Sequence, residues 1–292
     1  MEWIESLKSS INYMEKHLLE NISADKLADL VYMSSFYFQK GFKIITGYSV
    51  GEYIRYRRLY MAALDVISGN EKVIDLAYKY GYGTPESFTK AFSRFHGVSP
   101  KQMNGDAKII RTFLPLKINV SVKGGNNMDY VIEKLNAMKL IGYERAFSYE
   151  TSYQEIPKFW DKFCYTCMKD KNDEHVQEVI KECMIGEFGI CIEDSSKKQE
   201  FLYMIAGTYN GNSVPEGMKI FEIPALEWAK FKCTGPLPGS LQSVNTQIFK
   251  EWLPGNPDYE ITTGMNIEWY SNGDSNSSEY KSEIWIPVKK KQ

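Results

Sequence analysis

Residues 72–102 read KVIDLAYKYGYGTPESFTKAFSRFHGVSPKQ, and the pattern of this stretch decides the first half of the fold. Val73, Leu76, Ala77 and Tyr80 fall at helical spacing. Gly81-Tyr82-Gly83 stops that helix, because glycine tolerates the positive φ of a sharp exit. Thr84 is then a good N-cap, and Pro85 suits the first helical position, where no N–H is needed. The next helix runs to about His96, with Phe88, Ala91, Phe92 and Phe95 on one face and Ser87, Thr89, Lys90 and Arg94 on the other. Two short helices around a glycine turn, the second amphipathic and basic, read as a helix-turn-helix. A plain helical hairpin in an all-α core has the same pattern.

A second copy lies upstream. Ser23 caps Ala24–Val31, and Asp25 sits in the first turn, where a negative charge favours the helix dipole. A break at Met33-Ser34 leads into Ser35–Ile45, closed by Gly47. Both copies share an Asp just ahead of Leu-Ala (Asp25, Leu27-Ala28 and Asp75, Leu76-Ala77), a short turn, then F-x-K-x-F at Phe38, Lys40, Phe42 and at Phe88, Lys90, Phe92. Between them Val50 to Ile67 reads as a longer helix ended by Gly69-Asn70, and Trp3 to Leu18 reads as an opening helix.

In order and spacing, residues 1–105 resemble the AraC/XylS family of bacterial transcription regulators. The resemblance implies two DNA-reading heads joined by a rigid helix, addressing major-groove segments about 34 Å apart. It implies that Phe36, Gln39 and Lys40 reach bases from the first head, with Lys43 beside them, and that Glu86, Ser87, Thr89 and Lys90 are the matching positions of the second, with Arg94 nearby. Glutamine suits adenine, lysine suits guanine acceptors or phosphate, and Glu86 could accept from cytosine or simply favour its helix N-terminus. Solvated surface charge is the plain alternative for Lys43, Lys90 and Arg94. Duplex DNA is the implied partner, with RNA polymerase as a protein partner.

Composition allows this without demanding it. At 292 residues, with 14% aromatic and 43% hydrophobic content, the chain can build two domain cores, so wholesale disorder is excluded. The net charge is only −2, but residues 1–105 hold 13 Lys+Arg against 11 Asp+Glu, and the remainder is acidic. Phosphate attraction must then come from local clusters such as Arg55, Arg57 and Arg58. All five cysteines lie at Cys164 and beyond; an odd count behind a start with no secretory pattern points to reduced thiols in the cytoplasm. Cys164-Tyr165-Thr166-Cys167 has the spacing of half a zinc site, yet no second pair follows, so neither a metal nor another cofactor is expected. No apolar run approaches the roughly 20 residues of a membrane span.

Residues 106–127, with Gly124-Gly125-Asn126-Asn127 at their end and an apolar segment from Ile109 to Leu116, read as a linker. Residues 128–292 then turn to β pattern and repeat. Glu133–Leu140 and Phe221–Trp228 open two similar blocks, each continuing into a helix (Glu155–Met168, Ser240–Trp252) and two strands. The expected fold is multidomain: an all-α tandem helix-turn-helix domain, then an α+β domain of duplicated β-α-β-β units on an antiparallel sheet. This half resembles the GyrI-like effector-binding domain, with Glu283-Ile284-Trp285-Ile286-Pro287 matching that family's closing strand.

Strand alternation nominates the site. If Glu268 and Tyr270 share a sheet face with Glu283 and Trp285, carboxylates stand beside aromatics, which suits an amphipathic cation. The resemblance assigns the charge match to Glu268, with Glu193 as its counterpart in the first repeat; solvated carboxylates on an exposed face are the plain alternative. The small-molecule partner so implied is hydrophobic, cationic and aromatic. Some GyrI-like proteins look like hydrolases, but no Ser-His-Asp or Cys-His order emerges here, so no catalytic residue is nominated. A constitutive DNA binder whose second domain only dimerises is the third class.

Overall fold

The computed structural model describes residues 3–103, 110–118, 128–169, 174–194, 196, 199–211 and 213–291, the side chains of 166–169 excepted. Contacts divide the chain into two units: residues 1–33 with 46–121, and residues 34–45 with 122–292. Among the described residues no helix is long and apolar enough to cross a membrane.

The first unit is helical: α1 (Trp3–Lys16), α2 (Ala24–Leu30), α4 (Val50–Ser68), α5 (Val73–Lys79), α6 (Pro85–His96) and α7 (Pro100–Met103). Its helix ends follow the sequence signals. Ser49 and Glu52 form a reciprocal capping box on α4, and the Thr84 hydroxyl accepts the Ser87 N–H at the start of α6. Phe88, Phe92 and Phe95 of α6 pack with Leu59, Ala62 and Val66 of α4. Residues 110–116, expected as part of a linker, lie against this core: Phe113 stands edge-on to Tyr48 and Tyr56, and Arg57 donates to its carbonyl.

The second unit contains α3 (Ser35–Thr46) as far as Ile45 and one antiparallel nine-stranded sheet. Its first repeat is β1 (Tyr130–Leu135), β2 (Met138–Ser148), α8 (Ser152–Lys169), α9 (Glu174–Glu182), β3 (Phe188–Glu193) and β4 (Glu200–Thr208). The second is β5 (Lys219–Ile223), β6 (Leu226–Thr234), α10 (Gly239–Gln247) with a π turn at Ile248–Trp252, a short α11 (Leu253–Gly255), β7 (Tyr259–Ile261), β8 (Met265–Tyr270) and β9 (Lys281–Lys290). The strand order β1-β6-β9-β8-β3-β4-β2-β5 maps onto itself when the two repeats are exchanged. The opening block of each repeat spans the turn between a short strand and a longer one, and each repeat lends its first strand to the other: β1 pairs β6 and β5 pairs β2. The seam between repeats is the β3–β8 pair.

Residues 169–178 are a charged run without apolar periodicity, yet helix α9 starts within it at Glu174. Val179, just beyond that run, supplies its buried side.

Candidate functional site

One face of the sheet is covered by helices. Phe159 packs on Phe147, Trp252 on Phe231, and Trp160 reaches down to Tyr203. Glu268 and Tyr270 of β8 point to this face, at the seam between repeats. Here a cavity of about 550 Å³ opens, with Tyr153, Ile156 and Trp160 of α8 on one side and Leu241 and Asn245 of α10 on the other.

Glu268 is its electrostatic centre. The hydroxyls of Tyr203 and Tyr270 both donate to Oε2 at 2.8 Å. Trp160 Nε1 donates in turn to the Tyr203 oxygen at 2.9 Å, and its ring stands edge-on to Tyr270 with centroids 5.0 Å apart. Burial first, then the Glu268 charge, pushes both phenols well above their ordinary range, so they remain donors at neutral pH. Among the described residues, Oε1 of Glu268 has no hydrogen-bond partner. Cys191 lies on the cavity floor, its thiol pushed up to about 12 chiefly by burial.

Of the nominated ligand residues, then, Glu268 and Tyr270 come together in the cavity and three do not. Glu283 and Trp285 lie on the opposite face, because β8–β9 register sets Trp269 across from Glu283, Ile267 across from Trp285, and Glu268 across from Ile284. Alternation fixes parity within each strand, but relative register is set by the 271–280 connection, where Tyr280 donates back to the Ser271 carbonyl. Trp285 instead bonds Glu283 through its Nε1, carries Lys230 over its ring at 3.9 Å, and packs with Trp228 and Phe188. Glu193 points to the cavity face, but its Oε1 accepts the backbone N–H of Phe36 at 2.9 Å. Tyr203, Trp160, Tyr153 and Phe201 were missed. The alternation of Phe201 with Tyr203, and the Ile156–Trp160 step on α8, carried the available signal.

The nominated DNA residues fall into two groups. On α6, Glu86, Ser87, Lys90 and Arg94 are exposed and Thr89 is half-buried, together forming an open polar surface. On α3, Phe36 and Gln39 are buried at 1% and 6% exposure, and Lys40 and Lys43 line the cavity with Phe36. The arginine cluster is also redirected. Arg57 pairs with Glu15 at 2.8 Å, and Arg58 donates to the carbonyls of Leu18 and Glu20. Cys164 is exposed, and Cys167 has its side chain outside the described set. Among the described residues no cluster of three or more His, Cys, Asp or Glu could hold a metal.

Comparison with known proteins matches residues 131–288, more than half of the chain, to the integron-associated effector binding protein family. This chain belongs to that family. Residues 27–105 match a helix-turn-helix domain of the AraC type. An AraC-type DNA-binding domain thus precedes a GyrI-like effector-binding domain, and the integron-associated effector binding fold corresponds to the nine-stranded unit with its helix-covered cavity. The HTH-type transcriptional regulator YbfP of Bacillus subtilis is 33% identical over 100 residues, covering 34% of each chain. The HTH-type transcriptional activator AarP of Providencia stuartii is 36% identical over 88 residues, 30% of this chain and 65% of its own. The match thus spans about a third of the first relative and just under two thirds of the second. Among solved structures, SAV2435 bound to tetraphenylphosphonium aligns over 56% of this chain and 94% of its own, at 23% identity and a TM-score of 0.46.

Proposed function

We propose that this protein is a DNA-binding transcription regulator whose second unit takes up a cationic, aromatic small molecule, with Glu268 as the charge partner. The observation that carries the reading is the Glu268 carboxylate, fixed through one oxygen by the phenols of Tyr203 and Tyr270 inside a cavity walled by Trp160, Tyr153 and Phe201. A carboxylate held this way is pre-oriented for a cation, and an aromatic face adds about 0.5–1 kcal/mol when exposed and about 2 kcal/mol when desolvated. Cys191 stays a protonated thiol at neutral pH, which supports a binding rather than a nucleophilic role for the cavity floor.

Glu268→Gln keeps the shape and removes the charge. Calorimetric titration with tetraphenylphosphonium and with neutral triphenylphosphine oxide tests the charge match. Tetraphenylphosphonium should lose about tenfold or more in affinity, equivalent to roughly 1.4 kcal/mol, and the neutral compound far less. Equal losses for both would remove Glu268 from the role.

A further inference from the structure

The same helix serves two assignments. Phe36, Gln39, Lys40 and Lys43 are the nominated DNA-reading residues of the first head, yet α3 lies in the second unit with Phe36 and Gln39 buried and Lys40 and Lys43 half-buried along the cavity. Three tethers hold it. The Phe36 N–H donates to Glu193 Oε1 at 2.9 Å, the Tyr37 hydroxyl donates to the Met265 carbonyl, and Lys40 Nζ donates to Asn266 Oδ1 at 2.7 Å. The Phe36 ring packs edge-on against Phe201, with the Lys40 ammonium 5.4 Å from its centroid.

The sheet is shaped for this contact. Gly264 has no side chain where a Cβ would stand 1.9 Å from Glu193 Oε2, so the Glu193 side chain has a free path beside the strand. Asn266 is 1% exposed; its Oδ1 accepts from Lys40, while its Nδ2 has no partner among the described residues. A buried amide with an unpaired N–H is destabilising, so the Asn266–Lys40 contact is held at a cost to the fold.

The cavity itself is lined by Glu268 and Asp161 from the sheet and α8, and by Lys40 and Lys43 from α3. Its charges balance only while α3 is docked. Phe36 and Lys40 together present an aromatic ring and a cation, the chemistry that the cavity is proposed to select.

We propose that α3 is an internal occupant of the effector site, and that a diffusible aromatic cation displaces it and so frees the first DNA-reading head. This rests on the effector reading above. A cation at Glu268 supplies the positive charge that Lys40 and Lys43 supply in the docked state, and their repulsion weakens docking. Because DNA and the cavity need the same face of α3, effector and DNA binding are positively coupled, and each tightens the other by the same factor. Phe36 and Lys40 thereby become residues that tune effector affinity as well as DNA affinity.

The test uses the full chain and a duplex selected by it from a random pool in the presence of tetraphenylphosphonium. Saturating tetraphenylphosphonium should tighten DNA binding by about fivefold or more, within the usual span of coupling factors. It should also speed hydrogen exchange of the 35–46 segment. Asn266→Ala and Glu193→Ala, which loosen α3 without touching DNA, should tighten DNA without the cation and shrink its effect. If calorimetry shows the cation bound while DNA affinity and α3 exchange stay unchanged, or DNA affinity falls, the coupling is overturned and the effector site stands. If the cation does not bind, the effector reading fails separately, and the two variants still decide: folded variants with unaltered DNA affinity overturn the docking role. Should the variants unfold, exchange of α3 in the unmodified chain, with and without DNA, decides; slow exchange retained on DNA would overturn the proposal.

Discussion

Gly189 stands directly across from Glu268 in the β3–β8 ladder, and its missing side chain is what lets Tyr203 reach the carboxylate. A Cβ at Gly189 would come 2.1 Å from the Tyr203 hydroxyl and 3.0 Å from Glu268 Oε2. Gly189→Ala should therefore push Tyr203 off Glu268, weaken cation uptake, and lower stability by about 1–3 kcal/mol through overpacking. Thermal melts and calorimetry on the same sample check this. Unchanged affinity for the cation would show that the Tyr203–Glu268 bond does not orient the site.

The two tyrosines should differ. Tyr203→Phe removes a donor to Glu268 and also the acceptor of Trp160 Nε1, leaving a part-buried N–H unsatisfied. Tyr270→Phe removes one donor only and keeps the ring beside Trp160. The first should cost about 1–3 kcal/mol and the second about 1 kcal/mol or less. Denaturant melts of both variants rank them; the reverse order would mean that Trp160 finds another acceptor.

The helical half was legible because its signals are local. Thr84-Pro85, the Ser23 cap and the Phe88/Phe92/Phe95 stripe each act within one or two turns, and each sits in the structure where the pattern placed it. The sheet domain was legible as a repeat and as antiparallel pairing. What stayed hidden depends on register and on distant contacts. The Glu283/Trp285 face is decided by how the 271–280 connection folds, and a reading of β8 alone leaves both registers open. The exchange of β1 and β5 between repeats has no local signature, since each strand carries the same alternation whichever partner it meets. Likewise, Phe36 and Gln39 have the same helical spacing whether they meet DNA or a sheet.

Arg57 and Arg58 should behave as structural residues rather than phosphate contacts. Arg57 and Glu15 form an ion pair with side-chain exposures of 6% and 21%, and Arg57 also holds the Phe113 carbonyl. Removing one partner of such a pair costs up to about 3–5 kcal/mol when fully buried, somewhat less at this exposure. Arg57→Ala should therefore lower the melting temperature by several degrees. Arg58→Ala should destabilise the chain more mildly and leave the salt dependence of DNA binding unchanged. A flatter salt dependence in folded Arg58→Ala would restore its phosphate role.

Lys90 is the matching test on the exposed head. It lies on the solvent side of α6 beside Thr89 and Glu86. If it neutralises a phosphate, Lys90→Ala should weaken all duplexes alike and reduce the slope of log K against log salt by about 1. If it reads a base, the loss should be about 1–3 kcal/mol on the selected site and small elsewhere. Gel shifts at three salt concentrations on two sequences separate these outcomes, and full-strength binding by the variant would exclude Lys90 from the interface.

His96 should make the helical unit sensitive to mild acid. Its Nδ1 accepts the Arg111 N–H at 3.2 Å, which leaves the proton on Nε2, donated to the Leu59 carbonyl at 3.1 Å. The ring is 7% exposed, and burial is the main reason its pKa lies below 6.5. Protonating Nδ1 would abolish its acceptor and turn it against the Arg111 N–H. In the unfolded chain His96 takes a proton near pH 6.5, whereas the folded chain resists it. Between those two pKa values the unfolded state binds more protons, so stability falls as pH drops below about 6.5 and levels off once the folded ring also protonates. The imidazole signal of His96 should titrate below 6.5, and melts should fall from pH 7.5 to 5.5 with a slope that His96→Gln reduces. A His96 signal titrating above 6.5 would mean that the ring gains a favourable partner when charged, and the acid sensitivity would then have to originate elsewhere in the chain.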